Sequence, residues 1–239
     1  IELLREAHWQ YTLGDDIHRK YTDPLIEEDL RNFLAVQYKD KNLTTSEMDG
    51  IVANLRNTGG QNDYYALRNA FLLYRDGYDF AYSDSRDNPF RMEYIDFEHP
   101  DHNIFRCVNQ FVMEQGRENR RPDILLFING IPVCIIELKN PTNQNATIRD
   151  AHTQICTRYM RDIPSLLKYC ALAVISDGAK NALGSTYTPF EFFYEWKKIN
   201  NEGKAGKGLD TLRTLIRGAL SPERILEILR DYVYFPDPT

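Results

Sequence analysis

Two runs of apolar residues, 124–128 and 131–136, dominate the hydrophobic pattern of the chain. Both have the length of a strand and are rich in Ile, and they flank Asn129-Gly130, a pair typical of tight hairpin turns. Neither run alternates with polar residues, as a strand with one solvated face would. The pattern therefore predicts a β-hairpin that is buried on both faces within a sheet.

Apolar residues at helical spacing predict four helices before this hairpin, at residues 1–11, 25–37, 47–56 and 64–74. Asp23-Pro24 opens the second helix, and Thr44 or Thr45 is the expected N-cap of the third. Residues 1–75 are therefore expected to be mainly helical.

Strand-like patterns replace helical ones from residue 76, at 77–81, 91–97 and 103–114, ahead of the hairpin. Asn140-Pro141 then predicts a stop, followed by a helix over 147–162 and a buried strand over 169–176. A strand, helix, strand order predicts a crossover into a mixed sheet. We expect an α/β fold, a mixed β-sheet flanked by helices with an N-terminal helical portion.

The last part of the chain predicts a linker and two short helices. Residues 200–208 are rich in Gly and Lys without apolar periodicity, and helices are expected over 209–220 and 222–232, the second capped by Ser221. The aromatic segment 189–198 fits the core or an interface, with stacking on unpaired bases as the alternative. The expected domains are 1–200, whose α/β part is 76–200, and 201–239.

Composition indicates an ordinary globular protein, with 42% hydrophobic and 12% aromatic residues in 239. No run approaches eighteen apolar residues and no basic-then-apolar leader opens the chain, so neither a membrane span nor a signal peptide is expected. The four cysteines show no paired spacing, which fits buried free thiols and a reducing cytoplasm.

Charge is unevenly distributed along the chain. The net charge of −6 argues against a freestanding protein that coats DNA. Residues 1–101 carry 11 basic and 20 acidic side chains, whereas residues 102–239 carry 18 basic and 15 acidic ones. The second part can therefore tolerate a polyanion, but tight binding of DNA would need another domain or subunit.

Three charged residues cluster at the open end of the hairpin: Asp123 opens the first strand, and Glu137 and Lys139 lie near the end of the second on one face. Two converging carboxylates repel each other unless a divalent cation lies between them, and hard oxygen ligands suit Mg²⁺. Lys139 could then orient or deprotonate a water, or neutralise charge on a phosphate. The alternative is a structural ion pair of Lys139 with Asp123 or Glu137.

Strand register constrains this site. A two-residue turn at Asn129-Gly130 would pair Asp123 with Ile136 and put Glu137 on the other face. The site therefore predicts either a three-residue connection with Gly130 in the left-handed region or a β-bulge in one strand.

Two further groups of residues have side chains that could bind a ligand. His99 and His102 lie three apart, but Pro100 and Asn103 predict a loop and no third ligand is evident, so a metal is not expected there. Arg120 and Arg121, just before Asp123, can contact phosphate or form surface salt bridges.

Asp123 with Glu137-Leu138-Lys139 resembles the PD-(D/E)xK nuclease motif. The surroundings are more specific. The chain is similar to the N-terminal nuclease domain of the R (restriction, motor) subunit of type I restriction enzymes in Arg120-Arg121-Pro122-Asp123, Asn129-Gly130-Ile131-Pro132, Ile136-Glu137-Leu138-Lys139-Asn140-Pro141 and Ile175-Ser176-Asp177-Gly178.

The resemblance implies roles for particular residues. Asp123, Glu137 and the backbone carbonyl of Leu138 would bind Mg²⁺, and Lys139 would activate water or stabilise charge on the phosphate. An acidic residue on an early helix completes the metal site in that family, and Glu2 is the candidate here, although Glu6 lies one turn later and either could be a solvated helix carboxylate.

In that family a glutamine lies on the helix after the hairpin, and a tyrosine follows it four residues later. Gln154 is the expected counterpart of the glutamine. Here position 158 is Arg and the tyrosine is Tyr159. At about 100° per residue, Tyr159 would lie about 140° from Gln154 in a regular α-helix, and Arg158 only about 40°. The geometry therefore favours Arg158 over Tyr159 for this place, without deciding between them. The resemblance implies that a residue there contacts DNA or the metal-bound water.

The implied activity is endonucleolytic hydrolysis of double-stranded DNA after ATP-driven translocation, with ATP bound only by motor domains outside this chain. The implied partners are the modification and specificity subunits, and no membrane. Two alternatives stay open: a non-catalytic assembly and coupling module that docks onto other subunits, and a nuclease for RNA or single strands.

Overall fold

The computed structural model describes residues 1–84, 87–139, 147–178, 180–199 and 209–236. Its strands are β1 (Gln10–Leu13), β2 (Tyr78–Phe80), β3 (Phe90–Met92), β4 (Phe105–Asn109), β5 (Met113–Gln115), β6 (Glu118–Arg120), β7 (Ile124–Ile128), β8 (Ile131–Leu138), β9 (Leu172–Ser176) and β10 (Asn181–Ser185). Its α-helices are α1 (Glu2–Glu6), α2 (Glu27–Gln37), α3 (Thr45–Asn57), α4 (Asp63–Asp76), α5 (Ile148–Thr153), α6 (Met160–Asp162), α7 (Pro164–Leu167), α8 (Leu209–Ala219) and α9 (Pro222–Glu227). Gln154–Tyr159 and Ile228–Tyr232 are π-helical.

A six-stranded mixed sheet forms the centre, in the order β1-β4-β7-β8-β9-β10. The pairs β1–β4 and β8–β9 are parallel, and the other three pairs are antiparallel. Helices α5 to α7 connect β8 to β9, as the predicted strand, helix, strand order requires. The expected α/β fold with a mixed sheet and N-terminal helices is confirmed.

Alternate residues of the central hairpin enter two different hydrophobic clusters. Ile124, Leu126 and Ile128 pack with apolar residues of α1 to α4, α8 and α9. Leu125 and Phe127 pack with residues of α5, α7 and the π-helical turn between α5 and α6. All five of these hairpin residues are buried, so the prediction of a hairpin covered on both faces is confirmed.

The first predicted helix is wrong beyond residue 6. His8 has a φ of 69°, and Gln10–Leu13 forms β1 at the edge of the sheet, parallel to β4. Trp9 is buried and its indole N–H donates to the carbonyl of Leu220. The hydrogen bonds to β4 and this long-range contact override the local helical spacing.

The predicted strands also end earlier than expected. The segment 103–114 divides at Gln110, whose φ of 59° separates β4 from β5, and β5 pairs with β6 in a separate ribbon. The segment 91–97 stays extended in β3 only to Met92. The short helix α7 and the edge strand β10 were not predicted, because neither has a long periodic pattern.

The predictions for the helix N-caps are confirmed in part. Thr44 caps α3 in a capping box with Glu47, as one of the two expected N-caps. Ser221 is the N-cap residue of α9, as predicted, but its side chain makes no capping hydrogen bond. The predicted linker at 200–208 and the stop at 140–141 lie outside the described residues. Among the helices that the structure describes, none is long and apolar enough to cross a membrane.

Candidate active site

The hairpin has both a two-residue turn and a bulge. Asn129 and Gly130 have φ values of 49° and 76°, as a tight turn with two left-handed residues requires. The register shifts by one residue opposite Leu126 and Phe127, and Ile124 then pairs with Ile136. The predicted bulge is confirmed, whereas the alternative three-residue connection is not used.

The bulge determines the face on which Glu137 lies. Val133 and Cys134 are consecutive, yet both belong to the cluster beneath the N-terminal helices. Ile135 then faces the α5 side, and Glu137 follows two residues later on that side. Because Ile124 pairs with Ile136, Asp123 lies opposite Glu137. The bulge thus brings the two carboxylates together.

Glu137 is an acid in an environment that disfavours its charge. It is only 2% exposed. Burial and the nearby charge of Asp123 raise the pKa of Glu137 to about 7, against the opposing effects of Lys139 and Tyr159. A divalent cation between the two carboxylates would remove this repulsion and favour the ionised form. The donor set therefore fits a hard cation such as Mg²⁺.

The backbone of Leu138 is adjacent to the acid pair. Its N–H donates to Asp123 Oδ2 at 2.8 Å, which holds the carboxylate against the end of β8. The N–H of Lys139 donates to the Ser176 carbonyl at 2.7 Å, so the chain stays attached to β9 beyond the last residue of β8. The Leu138 carbonyl belongs to the same segment, and its role as a further oxygen ligand stays a prediction.

Four side chains form a closed ring of hydrogen bonds above the acid pair. Lys139 Nζ donates to Glu137 Oε1 at 3.0 Å and also to Gln154 Oε1. Gln154 Nε2 donates to the Tyr159 hydroxyl at 2.7 Å, and this hydroxyl donates to Glu137 Oε2 at 3.3 Å. Burial raises the pKa of Tyr159, so the hydroxyl keeps its proton and acts as a donor. The Glu137–Lys139 ion pair of the structural alternative is part of this ring.

The position of Tyr159 corrects the expectation that Arg158 faces the site with Gln154. Residues 154–159 are π-helical, and a helix with i→i+5 hydrogen bonds brings residues five apart onto one face. Tyr159 is therefore buried beside Gln154, while Arg158 is exposed. The five-residue spacing from Gln154 to Tyr159 matches the repeat of a π-helix. The prediction for Arg158 assumed a regular α-helix instead.

The other predicted residues lie outside the ring. Arg120 forms ion pairs with Glu118 and Asp162, as the salt-bridge alternative predicted. Arg121 is exposed, next to the buried Pro122 that precedes Asp123. These positions leave Arg121 and Arg158 accessible to a large ligand.

Glu2 is on the first turn of α1 with its side chain 79% exposed, and it pairs with Arg5 at 3.3 Å. Within the described ranges the structure shows no contact of Glu2 with the acid pair. Glu6, the alternative candidate, pairs with Arg217 at 3.1 Å. A role for either acid in a metal site stays a prediction.

The chain is similar to known proteins over nearly all of its length. Residues 1–192 match the family model described as the type I restriction enzyme R protein N terminus. The chain is 30% identical, over 98% of its length, to the type I restriction enzyme HindI endonuclease subunit of Haemophilus influenzae, and covers 23% of that protein. It is 28% identical over 98% of its length to a putative type I restriction enzyme MjaIXP endonuclease subunit of Methanocaldococcus jannaschii, and covers 24% of it.

The chain thus spans about a quarter of the length of these curated relatives. The family match covers the helical portion, the central sheet and the whole candidate site. The chain therefore belongs to the family of type I restriction enzyme R protein N termini.

Proposed function

We propose that this chain is the Mg²⁺-dependent endonuclease domain of a type I restriction enzyme R subunit, and that it hydrolyses phosphodiester bonds of double-stranded DNA. The observation that carries the proposal is the bulge-dependent pairing of Asp123 with Glu137 beside Lys139. Two carboxylates and a lysine at the open end of a buried hairpin form a suitable site for phosphodiester hydrolysis.

Asp123, Glu137 and the Leu138 carbonyl would hold the metal. When bound, Mg²⁺ would act as a Lewis acid at the phosphate and lower the pKa of a bound water. The raised pKa of Glu137 supports this assignment, since the acid pair lacks a compensating charge other than Lys139 within the described contacts.

Lys139 would orient the attacking water and stabilise negative charge on the phosphate. The Lys139 side chain is 16% exposed, so its Nζ is largely shielded from solvent. A charge shielded in this way interacts with the phosphate more strongly than it would in water. Gln154 positions Lys139 by accepting from Nζ, and Tyr159 positions Glu137 by donating to Oε2. Tyr159 thus joins Asp123, Glu137, Lys139 and Gln154 in the proposed site.

Arg121 and Arg158, both exposed, would contact the phosphates of the DNA. The relatives are named endonuclease subunits of type I restriction enzymes, which supports a DNA substrate. The modification and specificity subunits would be partners of the intact protein, and ATP would bind in motor domains outside this chain. The protein would act in the cytoplasm, where it would encounter its DNA substrate.

Cleavage of supercoiled plasmid tests this proposal. The intact R subunit, assembled with its partner subunits and given ATP and Mg²⁺, is compared with its Asp123→Asn and Lys139→Met variants. Lys39→Met, at an exposed position after α2, is the matched control. We expect both site variants to lose cleavage while ATP hydrolysis and the control stay unchanged.

Undiminished cleavage by both site variants would overturn the proposal and favour the assembly module. Mg²⁺ titration of the metal-free chain gives an independent test, because a docking module does not need Asp123 and Glu137 to bind a cation. Faster cleavage of single-stranded DNA or RNA than of duplex DNA would instead overturn the substrate assignment.

A further inference from the structure

A second group of potential metal ligands lies in the loop before β4. Asp96, His99 and His102 each offer one ligand atom, and these atoms all lie within 4.8 Å of one another. The expectation that the two histidines have no third ligand is therefore wrong. Asp96 lies three residues before His99, in a segment that the sequence pattern predicts as a strand, and was therefore not recognised as a ligand. In the structure Asp96 belongs to the same loop as the two histidines.

The geometry of the three side chains is close to that of a metal site. Asp96 Oδ2 is 2.9 Å from His102 Nδ1 and 3.3 Å from His99 Nδ1. The two imidazole rings are stacked, with centroids 4.7 Å apart and planes inclined by 21°. Ligand atoms around a tetrahedral Zn²⁺, at about 2.0–2.1 Å from the metal, are about 3.3 Å apart. Small rotations of the two rings would complete this geometry.

Hydrogen bonds hold the Asp96 carboxylate in place. Its Oδ1 accepts from the N–H groups of Glu98 and His99, and its Oδ2 also accepts from Gln37. The carboxylate is thus a preorganised oxygen ligand on a buried residue, 5% exposed.

The histidines are accessible from solution, since their side chains are 62% and 49% exposed for His99 and His102. The loop that carries them is connected to the fold on two sides. Asn103 joins the backbone of Asp96 to the side chain of Asn129 in the hairpin turn. Glu98 pairs with Arg230 of the C-terminal π-helical segment at 3.6 Å.

We propose that Asp96, His99 and His102 form a binding site for a borderline divalent transition metal, with Zn²⁺ as the best match and water as the fourth ligand. Two imidazoles and one carboxylate are ligands that suit Zn²⁺ rather than Mg²⁺. The site is at the turn end of the hairpin, and the acid pair is at the open end, about 20 Å away along β8 at about 3.3 Å per residue. The metal would therefore brace the loop against the hairpin turn and would not take part in phosphodiester hydrolysis.

Zn²⁺ titration of the purified chain tests the proposal, with Mg²⁺ in large excess to occupy the acid pair. We expect one equivalent of Zn²⁺ to bind wild type, and this equivalent to be lost in His99→Gln and in His102→Gln. His18→Gln, an exposed histidine on another surface, is the matched control and should bind like wild type. Circular dichroism establishes that each variant is folded.

Binding of one equivalent that persists in both variants would overturn the proposal, because the Zn²⁺ would then be held elsewhere in the chain. A second measurement needs no substitution. The imidazole nitrogen signals of His99 and His102 in wild type should shift together on addition of one equivalent of Zn²⁺, while those of His18 stay in place. Unchanged signals of the pair, or no saturable binding, would refute the site.

Discussion

Gln154 and Tyr159 lie five residues apart, and the Gln154 amide donates to the Tyr159 hydroxyl at 2.7 Å. A regular α-helix would turn these side chains away from each other. The π-helical turn over Gln154–Tyr159 brings them onto one face, where both also contact the Glu137–Lys139 pair. Such turns occur often at functional sites, and this one contributes a hydroxyl that completes the ring above the acid pair.

Deleting Thr157 should convert the π-helical turn into a regular α-helix and keep the contact between the glutamine and the tyrosine. Thr157 is exposed, and its loss would place the two residues four apart, a spacing at which α-helical side chains meet. We expect cleavage by the intact subunit to be retained and the melting temperature to change by only a few degrees.

The matched control for this deletion is an alanine inserted after Thr157. The insertion would set the two residues six apart and turn Tyr159 from Glu137, so cleavage should be lost. Equal loss of cleavage in both variants, with both folded, would mean that the π-helical turn itself is required and would contradict the prediction.

Tyr159→Phe should weaken both the fold and the reaction. The hydroxyl accepts from Gln154 and donates to Glu137, and losing these bonds costs about 1–2 kcal/mol of the free energy of unfolding. Losing a group that orients a metal ligand typically reduces activity about 10–100-fold. Tyr74→Phe is the control, because its buried hydroxyl donates to the Tyr169 carbonyl away from the site. A similar loss of cleavage in both would indicate a general effect of stability.

The stability of the metal-free chain should fall as the pH rises from about 4.5 to about 7. Glu137 binds its proton more tightly in the folded chain, where its pKa is about 7, than in the unfolded chain, where it is near 4.5. The folded state therefore holds more protons in this range, and stability decreases with pH by about 3 kcal/mol from this group.

Glu137→Gln isolates that contribution, since the amide resembles the protonated acid. Urea unfolding with a chelator should give wild type and variant similar stability near pH 4.5, and a more stable variant near pH 8. Added Mg²⁺ should raise the stability of wild type but not of the variant. Parallel pH profiles of the two chains would contradict the prediction.

Gly130→Ala should destabilise the chain more than Gly116→Ala. Both glycines have positive φ values, 76° and 61°, which cost an L-residue about 1–2 kcal/mol. A Cβ at Gly130 would also clash with the Ile26 carbonyl, whereas a Cβ at Gly116 would have open space. We expect a further loss of about 1–3 kcal/mol at Gly130 in urea unfolding. Equal losses would show that the hairpin turn can move away from α2.

The sequence was most informative where local pattern and chemistry agree. The hairpin follows from two apolar runs around Asn129-Gly130, and its bulge follows from the need to place Asp123 opposite Glu137. Strand β1 could not be predicted in this way, because its hydrogen bonds are to β4, almost a hundred residues later. Nor could the ligand role of Asp96, which depends on a loop that Asn103 closes.

The bulge also links the number of residues in β8 to the face of the sheet on which Glu137 lies. Strand side chains alternate between two faces, and the extra residue near Val133 sets Glu137 on the face of Asp123. Adding or removing one residue between the bulge and Glu137 would bury an acid among the N-terminal helices, whereas adding or removing two would preserve its side. A change of two residues would still move Glu137 about 6.6 Å along β8, away from Asp123. The acid pair therefore fixes the length of this part of β8.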